Sequence, residues 1–301
     1  LAPLLGLLRV CARLRLGLAH GAGNNVNTAH IAKTGLKRAI KRAAAAGGAL
    51  TRHETGSRIL TYHSVGQRDH EMNVSPAAFE EQMRWLAGHT RVIPLSEAAA
   101  GAPGVAITFD DGYADNLRHA APVLNALALP ATVFVVAERA GAWLPHDAET
   151  PAARLLTWDE TRELHARGIE IGAHGMRHRR LARLDTETQR FEIVESKRLI
   201  EAQTGAPVAA FAYPYGSALD YDATSVRLVQ QANYAYAVSN RYGPNAPDTD
   251  RHTLRRVWVD RSDTPAMFRA KVTGRLDVLR ALDSRVGIRL RRGANALLGT
   301  R

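Results

Sequence analysis

Two adjacent carboxylates, Asp110 and Asp111, close the run Val105-Ala106-Ile107-Thr108-Phe109 and are followed by Gly112. The apolar run predicts a buried strand, and the glycine the turn that stops it. Acidic side chains side by side at a buried strand end repel each other and lose hydration, so they call for a cation or a shared proton. Farther along, His174 and His178 follow a second apolar run that begins at Ile169. Two histidines four apart can turn their rings to one point. With one carboxylate they form a three-ligand set that leaves a position open, the plan of a hydrolytic metal centre. The other carboxylate is then free to take a proton from water. A third segment, Phe211-Ala212-Tyr213-Pro214-Tyr215-Gly216, also ends an apolar run. Its aromatic-proline-aromatic-glycine order makes a rigid loop that can fix a backbone N–H and line a groove with rings. Each segment alone has a bland explanation as a polar turn, a solvated histidine pair or a strand-ending loop. Their recurrence at three strand ends favours chemistry.

In this order and spacing, Thr108–Gly112, His174–His178 and Phe211–Gly216 resemble the motifs of the polysaccharide deacetylase family, also called NodB-homology or carbohydrate esterase family four. The resemblance spans roughly residues 58 to 270. It implies a distorted, incomplete (β/α) barrel and a hydrolase that removes N-acetyl groups from an amino sugar in a surface polysaccharide or glycolipid. By position it makes Asp110 the general base and Asp111, His174 and His178 the ligands of a divalent ion. Zinc is expected first, with cobalt, nickel or manganese also suited to such donors. The Tyr215 N–H would help hold the oxyanion, and Tyr113, Pro214 and Tyr215 would meet the substrate.

Some positions depart from the pattern. Ala212 stands where many members carry an arginine that steadies the base. Arg255 or Arg256 can replace it from a neighbouring strand; Arg256, together with Asp260, is the expected support. The stretch Asp260-Arg261-Ser262-Asp263 matches the fourth motif only in part, and no Leu-x-His follows residue 252. Instead Ile59-Leu60-Thr61-Tyr62-His63-Ser64-Val65 resembles the opening strand of a rearranged subgroup that includes exopolysaccharide deacetylases, where an early histidine serves as the acid. His63 is thus the expected acid, against the alternative of a histidine that merely satisfies a strand end. Esters need that acid less than amides. A deformylase or acetyl-xylan-type O-deacetylase on the same scaffold stays open, as does a non-catalytic glycan-binding or membrane-surface protein.

The elements that must position these groups alternate regularly. Helical periodicity covers 76–89, 114–127, 186–203 and 222–233. Thr157 and Glu160 form a capping box that opens a helix stopped at Gly168. Short apolar runs at 105–110, 132–136, 169–173, 209–213 and 234–238 read as strands between them. This βα alternation predicts a parallel sheet with helices outside, and such barrels place their chemistry at the C-terminal strand ends. The connection 137–155 is expected to shape the substrate groove.

Charge is unevenly spread. The chain of 301 residues carries a net +11. Residues 1–53 hold nine basic and no acidic side chains, and 261–301 ten basic and three acidic, so the region between carries −5. We therefore divide the chain into a basic extension and linker (1–57), a deacetylase domain (58–270) and a basic amphipathic tail (271–301). Leucines interleaved with arginines near the start predict an anionic membrane surface as partner, beside the N-acetylated glycan substrate. No nucleic-acid motif accompanies the charge, so no nucleic-acid partner is expected. The single Cys11 excludes an intrachain disulfide. No run reaches the ~18 apolar residues of a spanning helix and no clear signal peptide is present. A cell-envelope or membrane-associated location is expected over a freely cytoplasmic one.

Overall fold

The computed structural model describes residues 56–144 and 153–283; most of the N-terminal extension and part of the C-terminal tail, with their membrane-surface expectation, lie outside the described residues. Seven parallel strands form the central sheet: β1 (Ser57–Tyr62), β2 (Gly104–Phe109), β3 (Thr132–Val135), β4 (Glu170–Ala173), β5 (Ala210–Ala212), β6 (Tyr236–Val238) and β7 (Val257–Trp258). Their spatial order is β6-β5-β4-β3-β2-β1-β7. The two edges meet where the Leu254 N–H donates to Ala237 and the Ser239 N–H to Leu254, just ahead of β7. The sheet thereby closes into a barrel one strand short of the usual eight. That is the distorted, incomplete α/β barrel expected.

Alternation along each strand divides the core in two. Ile59, Ala106, Phe134, Ala210, Ala212, Tyr236, Val238 and Leu254 pack together inside the barrel. Leu60, Ile107, Phe109, Val133, Ile171, Phe211 and Val257 belong to the larger cluster that the helices cover. Because side chains alternate with a period of two, counting by twos up each strand from the inner set reaches His63, Asp110, His174, Asn240, Arg256 and Trp258. The mouth of the barrel is therefore built by the same parity that builds its core.

The helices follow their caps. Pro76–His89 starts where the Ser75 side chain accepts from the Ala78 N–H, and it buries Phe79, Met83 and Leu86. The Thr157–Glu160 capping box is formed, and the helix Trp158–Ala166 follows it. The long helix expected near 186–203 is present but contains a π-helical turn, Phe191–Glu195, between Thr186–Arg190 and Ser196–Thr204. The helix expected at 114–127 likewise begins with a π-helical stretch, Asn116–Ala120. Residues 271–283, assigned to the tail by charge, pack on the barrel: Leu276 is fully buried, Asp277 accepts two hydrogen bonds from Arg58, and Asp283 accepts from the Tyr242 N–H. Their apolar positions read as amphipathic in sequence because one face meets this core.

Inside the barrel, Phe134 fits only because β4 offers a glycine opposite it. A Cβ on Gly172 would lie 2.4 Å from the Phe134 ring. Gly172→Ala should therefore destabilise the protein by roughly 1–3 kcal/mol through overpacking, read from denaturant unfolding. A Phe134→Leu background should recover part of that loss.

Candidate active site

Asp110, Asp111, His174 and His178 converge at the C-terminal ends of β2 and β4. The β2–β1 register pairs Phe109 with Tyr62, so His63 is the next residue beside Asp110. Asp110 is fully buried, and its partner is Arg256, also fully buried. The guanidinium grips both carboxylate oxygens, Nη1 to Oδ1 at 2.7 Å and Nη2 to Oδ2 at 2.6 Å. Its remaining donors reach the Ser239 carbonyl at 2.9 Å, Thr108 Oγ1 at 3.2 Å and Asn240 Oδ1 at 2.8 Å. All five N–H groups are thus in use. Burial alone would raise the Asp110 carboxyl, but Arg256, helped by His174 and His63, overrides it and holds the group well below the usual carboxylate range.

An arginine thus reaches Asp110 although position 212 is an alanine. The arginine comes from the segment that leads into β7, and it is Arg256; Arg255 points its Nη1 at the Tyr242 carbonyl instead. Asp260 is not among the acceptors of Arg256. It accepts from the Ser262 N–H and hydroxyl and lies 3.7 Å from Lys271 Nζ. Because β7 pairs with β1 through Thr61 and Trp258, Asp260 stands two residues beyond that pair, level with His63.

The donor set beside Asp110 fits a metal ion. One ligand atom from each of Asp111, His174 and His178 lies within 4.8 Å of the other two. Asp111 Oδ1 is 3.4 Å from His178 Nε2 and 3.7 Å from His174 Nε2. Donors ~2.0–2.1 Å from a tetrahedral ion are spaced about 3.3 Å apart. Asp111 Oδ1 is buried and accepts no hydrogen bond among the described residues, a costly state for a carboxylate that no cation serves. The histidines are oriented for the same purpose. His174 Nδ1 is 2.8 Å from the Ala212 carbonyl, which places the proton there and turns the Nε2 lone pair to the site. Burial, with His178, pushes His174 down to about 4 against the pull of Asp110 and Asp111, so the ring is neutral and able to ligate at neutral pH.

Backbone strain marks the same residues. Asp111 (φ 68°), His178 (φ 59°) and Tyr215 (φ 60°) are non-glycine residues in the left-handed region. Such positions cost ~1–3 kcal/mol each and persist where their surroundings hold them. The two other cases among the described residues, Ala128 and Asn233, follow helix ends, where this conformation is common.

Two holding residues carry no signal in the sequence. Glu192, fully buried in the π-helical turn, accepts the Arg177 N–H at 2.9 Å and so fixes the loop next to His178. Asn240 donates to the Tyr215 carbonyl at 3.1 Å while accepting from Arg256. Both act through the tertiary fold, which short motifs do not encode; only the π-helical turn, a frequent mark of functional sites, points to Glu192 once seen.

Of the three residues expected to meet substrate, only Tyr215 is exposed, at 43%. Its ring lies 4.6 Å from that of His178 and 3.6 Å from the Arg180 guanidinium. Tyr113 is buried because Leu155 bridges to it, and its side chain bonds Asp111. Pro214 is buried against Gly175. Of the connection 137–155, the described part forms a two-stranded hairpin, Trp143–Leu144 with Ala153–Arg154, and its second strand covers Tyr113.

Residues 97–237 match the family model described as polysaccharide deacetylase. The match begins after His63 and ends before Arg256. The Bacillus subtilis (strain 168) protein YxkH, provisionally named a polysaccharide deacetylase, is 27% identical over 223 residues, or 71% of this chain and 75% of its own. Among solved structures, the Streptococcus pyogenes deacetylase PplD in complex with acetate superposes with a TM-score of 0.63 at 20% identity, covering 73% of this chain and 99% of its own. IcaB from Ammonifex degensii gives 0.61 at 23% identity over 74% and 97% of the two chains. Over residues 97–237 the chain is thus similar to the polysaccharide deacetylase family, and it shares the fold of these deacetylase structures.

Proposed function

We propose that the protein removes N-acetyl groups from an amino sugar within a surface polysaccharide or glycolipid, with a divalent ion held by Asp111, His174 and His178. The observation that carries this reading is the orphaned Asp111 Oδ1, framed by two histidine nitrogens directly beside a buried base that is kept anionic. The ion, zinc or a similar metal, would supply Lewis acidity to an acyl oxygen and to a water, lowering a water pKa from ~16 towards ~7.

The chain's own residues do the rest. Asp110 takes a proton from the attacking water, and Arg256 fixes the orientation of its carboxylate. The Tyr215 N–H stabilises the oxyanion, an effect typically worth ~3 kcal/mol per donor. His63, beside both aspartates, delivers a proton to the departing amine. An amine is a poor leaving group, so His63 should matter more for amides than for esters. Asp260, level with His63, supports that end of the site rather than the base. The Tyr215 ring, with His178 and Arg180 behind it, forms one wall for the sugar. An envelope location suits such a substrate, and the basic residues 1–53 suit an anionic surface; no helix among the described residues is long and apolar enough to cross a membrane.

Acetate release from N-acetylglucosamine oligomers tests this reading. Zinc-loaded protein should release acetate, and Asp110→Asn should lower kcat by about 10²–10⁴-fold while calorimetry shows zinc still bound. Unchanged turnover in Asp110→Asn would refute its role. Chelation should abolish turnover, and added zinc should restore it in the native protein but not in His174→Ala. His63→Ala should lose at least tenfold more activity on the amide than on a matched acetyl ester; equal losses would leave His63 a structural residue.

Arg256 yields a stability prediction. Arg256→Met leaves a buried, uncompensated carboxylate and should cost about 3–5 kcal/mol. Adding Asp110→Asn to that variant should restore much of the loss in urea unfolding. Additive losses would show that the pair is not coupled.

A further inference from the structure

We propose that Trp258 is a stacking platform for a pyranose ring of the substrate, the sugar flanking the one whose acyl group meets Asp110. The inference rests on the glycan-deacetylase reading above and adds that the enzyme engages more than one sugar.

Trp258 is 39% exposed, between Val257 and Val259, which are buried at 0% and 2%. It shares strand parity with Arg256, so its indole stands at the barrel mouth, about 6.5–7 Å along the strand from the residue that grips the base. Two contacts hold that ring and a third holds its backbone. Its Nε1–H donates to the Asn240 carbonyl at 3.1 Å. Tyr242 meets it edge-on, with centroids 6.5 Å apart and planes at 87°. Its own carbonyl accepts from the buried Lys271 Nζ at 2.6 Å. A fixed aromatic face loses little entropy when a ligand covers it. The C–H face of a pyranose complements the electron-rich face of an indole, while its hydroxyls stay in water.

Position favours a flanking sugar over a random exposed aromatic. Asn240, which holds the indole, also accepts from Arg256 and donates to the Tyr215 carbonyl. One residue therefore ties the platform, the support of the base and the Tyr215 wall into a single frame. Trp258 and Tyr215 are the two large exposed aromatics bonded to that frame among the described residues.

The test compares native protein, Trp258→Ala and Trp258→Phe, all zinc-loaded and with matched unfolding temperatures, on N-acetylglucosamine and its tetramer. Trp258→Ala should raise KM for the tetramer about tenfold or more, keep kcat within about twofold, and leave kcat/KM for the monosaccharide unchanged. Trp258→Phe should recover most of the tetramer affinity. Equal losses on both substrates, or no change on the tetramer, would overturn the platform. Calorimetric titration of the tetramer into metal-free protein gives a second readout that needs no turnover: binding should weaken about tenfold in Trp258→Ala, and unchanged binding would again overturn it. If the native enzyme releases no acetate from either sugar, the deacetylase reading fails, and the titration still decides the platform.

Discussion

The buried ion pair between Arg256 and Asp110 is the constraint around which the site is organised. Two charges removed from water are stabilising together only when every donor and acceptor is matched, and here all five guanidinium donors are. The match requires β2, β6 and the lead into β7 to meet at one level, so the same contacts that satisfy the arginine also tie together the barrel where its edges join. The pair has a chemical consequence as well. A carboxylate held so far below its usual range is reliably anionic but a weak proton acceptor. It can deprotonate water only if that water is made more acidic, and the adjacent donor set of Asp111, His174 and His178 suits an ion that would do so.

The donor set is maintained against its own preferences. Two of its members, Asp111 and His178, and the nearby Tyr215 sit in left-handed backbone, and each is fastened by another residue: Asp111 by Tyr113, the turn before His178 by Glu192, and Tyr215 by Asn240. These fasteners sit on the rigid barrel or on a helix packed against it. The strain is thus borne by a scaffold with apolar layers both inside and outside the barrel. Function here depends on geometry that local propensity would not choose.

Much of this was legible in the sequence because it was local. The apolar runs ending in Asp110-Asp111, His174 and Pro214-Tyr215 announced strand ends, and the capping box at Thr157 announced its helix. What the sequence left open depended on closure of the barrel. Neither Ala212 nor its surroundings says which arginine replaces the missing one; the parity of β7 does, by turning Arg256 inward and Arg255 away. Tyr113 and Pro214 looked like groove residues because aromatic and proline side chains often are, yet the strand Ala153–Arg154 and the turn at Gly175 cover them. Asp260 followed the motif but not the base, since β7 carries it past Arg256 to the level of His63. Asn240 and Glu192 lay in stretches without any chemical signature.

Anomalous diffraction from crystals of the protein grown with one equivalent of zinc tests the central claim most directly. The account predicts a single strong site with one oxygen of Asp111 and the Nε2 atoms of His174 and His178 at ~2.0–2.2 Å, and Asp110 still paired with Arg256. Zinc bound elsewhere, or no ordered zinc among these three residues, would contradict it.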